Sequence, residues 1–247
     1  MAMTLATVAP GAAQYVPERG HWETRAPDAV GMDAALIQEA IEIHRAGESG
    51  APRDQEDGQN RSFGREPMGF PIGPFAVRGA PSGVIVRHGY IVAEWGDTRH
   101  VEMTHSVTKS FLSSVVGLAW EDGLIADLDD LVRDYMAPVD LPAGDGEPGV
   151  DRTGFGRPDL TTLFESDHNR LITWDHLLRQ SSDWEGTLWG KPDWADRPSQ
   201  DATEWRTRDR HAPGTVFEYN DTRVNLLALV ATGVWRRPLP EILRERI

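Results

Sequence analysis

His105-Ser-Val-Thr-Lys-Ser-Phe-Leu-Ser-Ser-Val-Val-Gly-Leu-Ala-Trp-Glu-Asp-Gly-Leu-Ile125 is the stretch on which fold and chemistry both turn. Its apolar residues Val107, Phe111, Leu112, Val115, Val116, Leu118 and Ala119 recur at helical spacing, and Gly123 supplies a stop. Positions i and i+3 of a helix share one face, about 5–6 Å apart at Cβ, so this spacing stands Lys109 beside Ser106. The amine can then reach the hydroxyl. The free N–H groups and positive dipole end at the helix start favour an oxyanion forming there. A capping serine next to a surface lysine would produce the same four letters, so the motif needs support from the rest of the chain.

Two features supply it. Of the 25 basic residues only Lys109 and Lys191 are lysine, and the other 23 are arginine. Arginine effectively never deprotonates, whereas a desolvated lysine can be brought toward neutrality and act as a base. The second feature is the face that Ser106 and Lys109 share with Ser110, Ser113, Ser114 and Gly117. It is small and polar where a solvated face would carry long charged side chains, so the helix is expected to be buried and central.

Working outward, Gly31 to Arg45 carries the 3 and 4 spacing of an amphipathic helix, and Ala46 to Pro74 reads as a long polar loop, a lid or an exposed insertion. Gly83 to Trp95 alternates Val, Ile and Tyr around His88-Gly89, the pattern of a tight antiparallel hairpin. Asp127 to Tyr135 is expected to be helical, Pro138 to Pro158 a loop, and Thr173 to Gln180 a helix capped by Thr173. Ser181 to Gly214 reads as loop carrying Trp184, Trp189, Trp194 and Trp205, and Val224 to Val234 as a buried apolar helix.

With these elements in place, the stretch from His105 to Ile125 resembles the nucleophile helix of the beta-lactamase-like serine hydrolases: class C beta-lactamases, DD-peptidases and their esterase and nylon-oligomer hydrolase relatives. Leu128-Asp-Asp-Leu-Val-Arg-Asp-Tyr135 and Ile172-Thr-Trp-Asp-His-Leu-Leu-Arg-Gln-Ser-Ser182 are similar to that family's next segments, and the likeness runs from about Val30 to Ile247. The resemblance implies an α+β fold, an antiparallel sheet flanked by helices plus a mostly helical lobe. It implies one catalytic domain over 1–247, with a sheet hairpin near 83–103 and helices and loops over 104–214. It makes Ser106 the nucleophile and Lys109 its base. The family's Tyr-x-Asn motif after a Pro-Gly turn matches Pro213-Gly-Thr-Val-Phe-Glu-Tyr-Asn-Asp221, so Tyr219 takes the place of the family's Tyr and Asp221 that of its Asn. A carboxylate there accepts only, holds Lys109 as an ammonium and shifts proton transfer toward Tyr219. The family's Ser-Gly is Ser182-Asp183 here. Its third motif, a Lys or His before Thr or Ser and Gly on a late strand, has no match, so the chain reads as a C-terminally incomplete member that lacks the late strands.

Composition bounds the rest. With 39 acidic against 25 basic residues the net charge is −14, and no basic cluster breaks the excess, which argues against nucleic acid as a partner. Zero cysteines exclude disulfides, thiolate metal sites and a cysteine nucleophile. The N-terminus lacks a basic, then apolar, leader, and no run approaches the roughly 20 apolar residues of a membrane span, so a cytoplasmic location without a membrane partner is expected. Eight scattered histidines form no ligand pair, and Gly64 to Gly73 lacks the strand-turn-helix context of a phosphate loop, so neither metal nor cofactor is expected. Trp184 and Trp189 are candidates for a substrate rim, or else pin a long loop to the body.

The expected function is hydrolysis of a small-molecule ester or amide through an acyl-enzyme on Ser106, with Lys109 and Tyr219 as general base and Asp221, Trp184 and Trp189 at the substrate. The alternative is a truncated or non-catalytic homologue that binds a partner through an open sheet edge. Homo-oligomerisation is left open.

Overall fold

The computed structural model describes residues 15–64, 69, 71, 73–136, 163–195 and 208–247. The chain divides into two compact units, Met1–Arg65 with Phe70–Met103, and Glu66–Gly69 with Thr104–Ile247.

In the first unit, helix α1 (Ala34–Ala46) starts where the Asp33 carboxylate accepts from the Ala35 and Leu36 N–H groups. Helix α2 (Gln55–Phe63) falls inside the segment expected to be a loop. Its sequence hides it because none of its residues is buried, so there is no apolar stripe to detect. What holds it is local: Asp54 caps it, Glu56 and Asp57 sit in its first turn, and Arg61 pairs with Asp57 one turn away. Strands β1 (Gly83–Arg87) and β2 (Tyr90–Trp95) pair antiparallel, as the alternation predicts. His88 and Gly89 both take positive φ, 51° and 86°, which matches the twist of the strands they join. A bulge slips the register between Ile85 and Val86, leaving Val92 without a strand partner. Val92 is buried in one cluster with Ile37 and Ile41.

The second unit is built on helix α3 (Thr108–Glu121), helix α4 (Trp174–Leu178), helix α5 (Asp221–Trp235) and helix α6 (Leu239–Arg246). α3 packs on α5 and α6, and α4 on α5. Its core is one cluster that includes Val116, Ile125, Ile172, Trp174, Leu226 and Val230. Two ties fasten the helices further. The Trp235 indole donates to the Val115 carbonyl at 3.2 Å, and Arg246 grips Asp122 with two bonds of 2.6 and 3.0 Å. A short hairpin of β3 (Thr187–Leu188) and β4 (Lys191–Pro192) breaks the expected loop after Ser181.

Three expectations for this unit are corrected. Asp127 to Tyr135 is not an α-helix: only Val132–Tyr135 turns, as a 3-10 helix. The Asp127 carboxylate accepts from the Asp129 N–H and the Asp130 carboxylate from the Asp127 N–H, local bonds that compete with the helical ladder. Nor is α3 covered on all sides. Ser110, Ser113, Ser114 and Gly117 are exposed, and burial falls on Leu112, Val115, Val116 and Ala119. Ser113 and Ser114 both donate to the Ser110 carbonyl at 2.9 Å, so these two hydroxyls are satisfied within the helix. Trp184 is 1% exposed, a core residue whose indole donates to the Leu163 carbonyl at 2.7 Å, and so not part of a substrate rim. Thr173 caps α4 as expected, completing a capping box with His176. The Pro138 to Pro158 segment and Trp205 lie outside the described residues. Among the described residues, no helix is long and apolar enough to cross a membrane.

Candidate active site

Ser106 does not lie in α3 itself. It occupies a 3-10 turn, His105–Val107, that runs into the helix, and His105 just before it takes a positive φ of 46°. A bulky residue rarely adopts that conformation, and strain of this kind concentrates at functional positions. Among the described residues the Ser106 backbone N–H has no partner, so it is open to an acceptor.

Lys109, one turn on, donates from Nζ to Ser106 Oγ at 3.2 Å. The third group arrives from 113 residues downstream: Tyr219 Oη is 2.7 Å from Ser106 Oγ. Lys109 also lies 4.8 Å from the centroid of the Tyr219 ring and 2.7 Å from the Asp221 carboxylate. The structure therefore brings together all four residues that the motifs select: Ser106, Lys109, Tyr219 and Asp221. Trp184 is in the core. Trp189 sits with Gly190 at the turn of the β3–β4 hairpin, partly exposed, and makes no hydrogen bond to any of the four.

Extended backbone explains why Tyr219 and Asp221 act together. Asn220 between them has φ −153° and ψ 116°, and in an extended segment side chains alternate, so 219 and 221 project to one side and 220 to the other. Accordingly Tyr219 is 44% exposed, the Asp221 side chain 52% exposed, and Asn220 fully buried. Asn220 is a structural residue that motif matching passes over. Its side chain caps α5 by accepting from the Arg223 N–H at 2.9 Å, and it donates to the Asp193 carbonyl at 2.7 Å. The backbone N–H of Glu218 is bonded to the Gln180 carbonyl, and that of Asn220 to the Gln180 side chain, so Tyr219 is pinned on both flanks.

Behind this segment stands a charge network whose signal in the sequence is scattered over 40 residues. Asp183, 3% exposed, accepts from Arg223 at 2.6 Å, from Arg208 at 2.7 and 2.8 Å, and from the His211 N–H at 2.7 Å. Arg208 also reaches Glu218 at 2.7 Å, Arg223 reaches Glu218 at 3.2 Å, and Arg210 reaches Asp193 at 2.6 Å. Among the described residues three arginines, Arg208, Arg210 and Arg223, face the carboxylates of Asp183, Asp193 and Glu218, and Arg210 also lies 3.5 Å from the more exposed Glu185. Asp183 takes φ +45°, a left-handed conformation that Asp adopts more readily than most residues. Burial alone would raise the Asp183 pKa, but bonds from Arg208 and His211 and the charge of Arg223 outweigh it and lower it to about 2.

For Lys109 the balance runs the other way. Burial pulls its pKa down, but hydrogen bonds and charge from Asp221 and Tyr219 more than reverse this, and the ammonium is held above the ordinary lysine value. The shift favours the ammonium form, in which Lys109 donates to Ser106 Oγ.

Compared with known proteins, residues 77–247 match the family model described as Beta-lactamase. No curated protein matches the chain.

Proposed function

The chain belongs to the beta-lactamase family, whose members are serine hydrolases, and on that premise we propose that it cleaves a small ester or amide through an acyl-enzyme on Ser106. The observation that carries this reading is the convergence on Ser106 Oγ of Tyr219 Oη at 2.7 Å and Lys109 Nζ at 3.2 Å. Ser106 Oγ attacks the substrate carbonyl carbon while Tyr219 Oη, beside the Lys109 ammonium, relays the proton, accepting it from Oγ as it passes its own to the leaving group. The free Ser106 N–H supports the oxyanion. As the intermediate collapses, the bond to the alcohol or amine breaks and that leaving group departs with the proton from Tyr219. Water then adds to the ester carbonyl by the same path, giving up a proton to Tyr219, and Ser106 leaves as the free hydroxyl with the proton that Tyr219 passes on. Exposing the folded chain to an active-serine phosphonate and mapping the product by mass spectrometry tests this. One adduct on Ser106 is expected, and its absence would sink the reading.

Asp221 sets where on the pH scale the site works. Its hydrogen bond and negative charge raise the Lys109 pKa. Asp221→Asn removes that charge, so the alkaline limb of the kcat/KM profile, where the Lys109 ammonium loses its proton, is expected to move to lower pH. An alkaline limb that stays put or moves up would show that Asp221 does not control Lys109.

A further inference from the structure

Beside Lys109 a groove of about 320 Å³ opens between α3, α5 and α6. Its walls are apolar: Phe111, Leu112 and Val115 from α3, Val224 and Ala228 from α5, and Leu243 from α6. Phe111 is 41% exposed, and Val224, Ala228 and Leu243 are only half-buried, so the helices do not close over one another here. The few polar groups at the rim are largely occupied. Thr104 and Thr108 bond to each other at 2.6 Å, and Lys109 is engaged by Ser106 and Asp221. Lys109 thus lines the groove and also donates to Ser106 Oγ, which sets the groove next to the site.

The charge account restricts what the groove can take. Lys109 is the one cation bonded to Ser106, Tyr219 or Asp221 among the described residues, and Asp221 matches its charge at 2.7 Å. A carboxylate on the substrate would enter an apolar groove with no free cation to meet it, at a large desolvation cost. A hydrocarbon chain meets no such cost, and the volume lies in the range of small-molecule sites.

We propose that this groove is the acyl pocket of the site and that the substrate is an uncharged ester or amide whose acyl part is an apolar chain of several carbons. The proposal rests on Ser106 being the nucleophile. The chain folds into the groove over Lys109 while its carbonyl stays at Ser106 Oγ. Selection between substrates comes from burying methylenes, not from pairing a charge.

The test uses the full chain and p-nitrophenyl esters of acetate, butyrate and hexanoate, with p-nitrophenyl hemiglutarate as a chain of intermediate length ending in a carboxylate. Each buried methylene is expected to raise kcat/KM about threefold, mainly through KM, so hexanoate should exceed acetate by tenfold or more at roughly this increment. The hemiglutarate should fall at least about tenfold below hexanoate, since its charge is buried unpaired. Ala228→Trp on α5 and Leu243→Trp on α6 fill the groove from different helices, and each should flatten the chain-length gradient. Phosphonate labelling of Ser106 shows that each variant keeps its fold. A flat gradient in the native chain, a gradient that survives in both labelled variants, or a preference for the hemiglutarate overturns the pocket while leaving serine hydrolysis standing. Absence of both turnover and labelling in the native chain overturns the nucleophile reading, and the pocket falls with it.

Discussion

Ser106→Ala is expected to lower ester hydrolysis by about 10⁴-fold or more while leaving the folded state nearly untouched. The two halves of that statement have separate causes. In the proposed mechanism catalysis fails because the acyl-enzyme forms on Oγ, and Lys109 and Tyr219 have nothing to act on once it is gone. Groups that act as one unit lose most of their effect when any member is removed, so adding Lys109→Ala or Tyr219→Phe to the serine variant should cost little more. Stability is spared because Ser106 is exposed and, among the described residues, its hydroxyl bonds to Tyr219 and Lys109 alone. Such surface changes fall within about 0.5 kcal/mol. Initial rates on p-nitrophenyl esters, read beside a thermal melt, check both halves. Residual activity near the native level would remove Ser106 from the mechanism.

Arg223→Met should do the opposite, unfolding the protein more readily before any chemistry is considered. Arg223 is 2% exposed, and its guanidinium meets Asp183 at 2.6 Å, Glu218 at 3.2 Å, Asp193 at 3.5 Å and the Trp184 carbonyl at 3.1 Å. Methionine fills much of the volume but leaves buried carboxylates short of a cation, a loss of about 3–5 kcal/mol. Denaturant melts at neutral pH should show it as a lower midpoint with an unchanged slope. The acid limb offers a second readout. With its pKa lowered from 3.8 to about 2, Asp183 contributes about 2 kcal/mol of stability. That contribution is fully present above the unfolded value and is lost as pH falls through the folded one. Removing Arg223 takes away one of the charges that depress this pKa, so acid destabilisation should set in at higher pH in the variant. Because Glu218 and Asn220 flank Tyr219 and answer to the same network, kcat should fall as well, with KM less affected.

Much of this was legible in the chain because its physical basis is local. A two-residue turn of His88-Gly89 between alternating strands determines a hairpin within a dozen residues, and a serine and lysine three apart face each other wherever a helix begins. The scarcity of lysine pointed to Lys109, and the resemblance to the family's Tyr-x-Asn motif pointed to Tyr219 and Asp221. Where local polar bonds replace apolar patterning, the reading failed. α2 has no buried residue to reveal it, Asp127 and Asp130 break a helix that the apolar pattern suggested, and Ser113 and Ser114 of α3 satisfy their hydroxyls on the Ser110 carbonyl. By itself the sequence determined the hairpin and the pairing of Ser106 with Lys109, and its likeness to the beta-lactamase-like hydrolases singled out Tyr219 and Asp221. Only the tertiary structure decided that Tyr219 Oη reaches Ser106 across 113 residues, that the Asp221 carboxylate lies 2.7 Å from Lys109 Nζ, and that Trp184 belongs to the core. Those outcomes depend on distances and burial between segments far apart in the chain, and no local pattern encodes a distance.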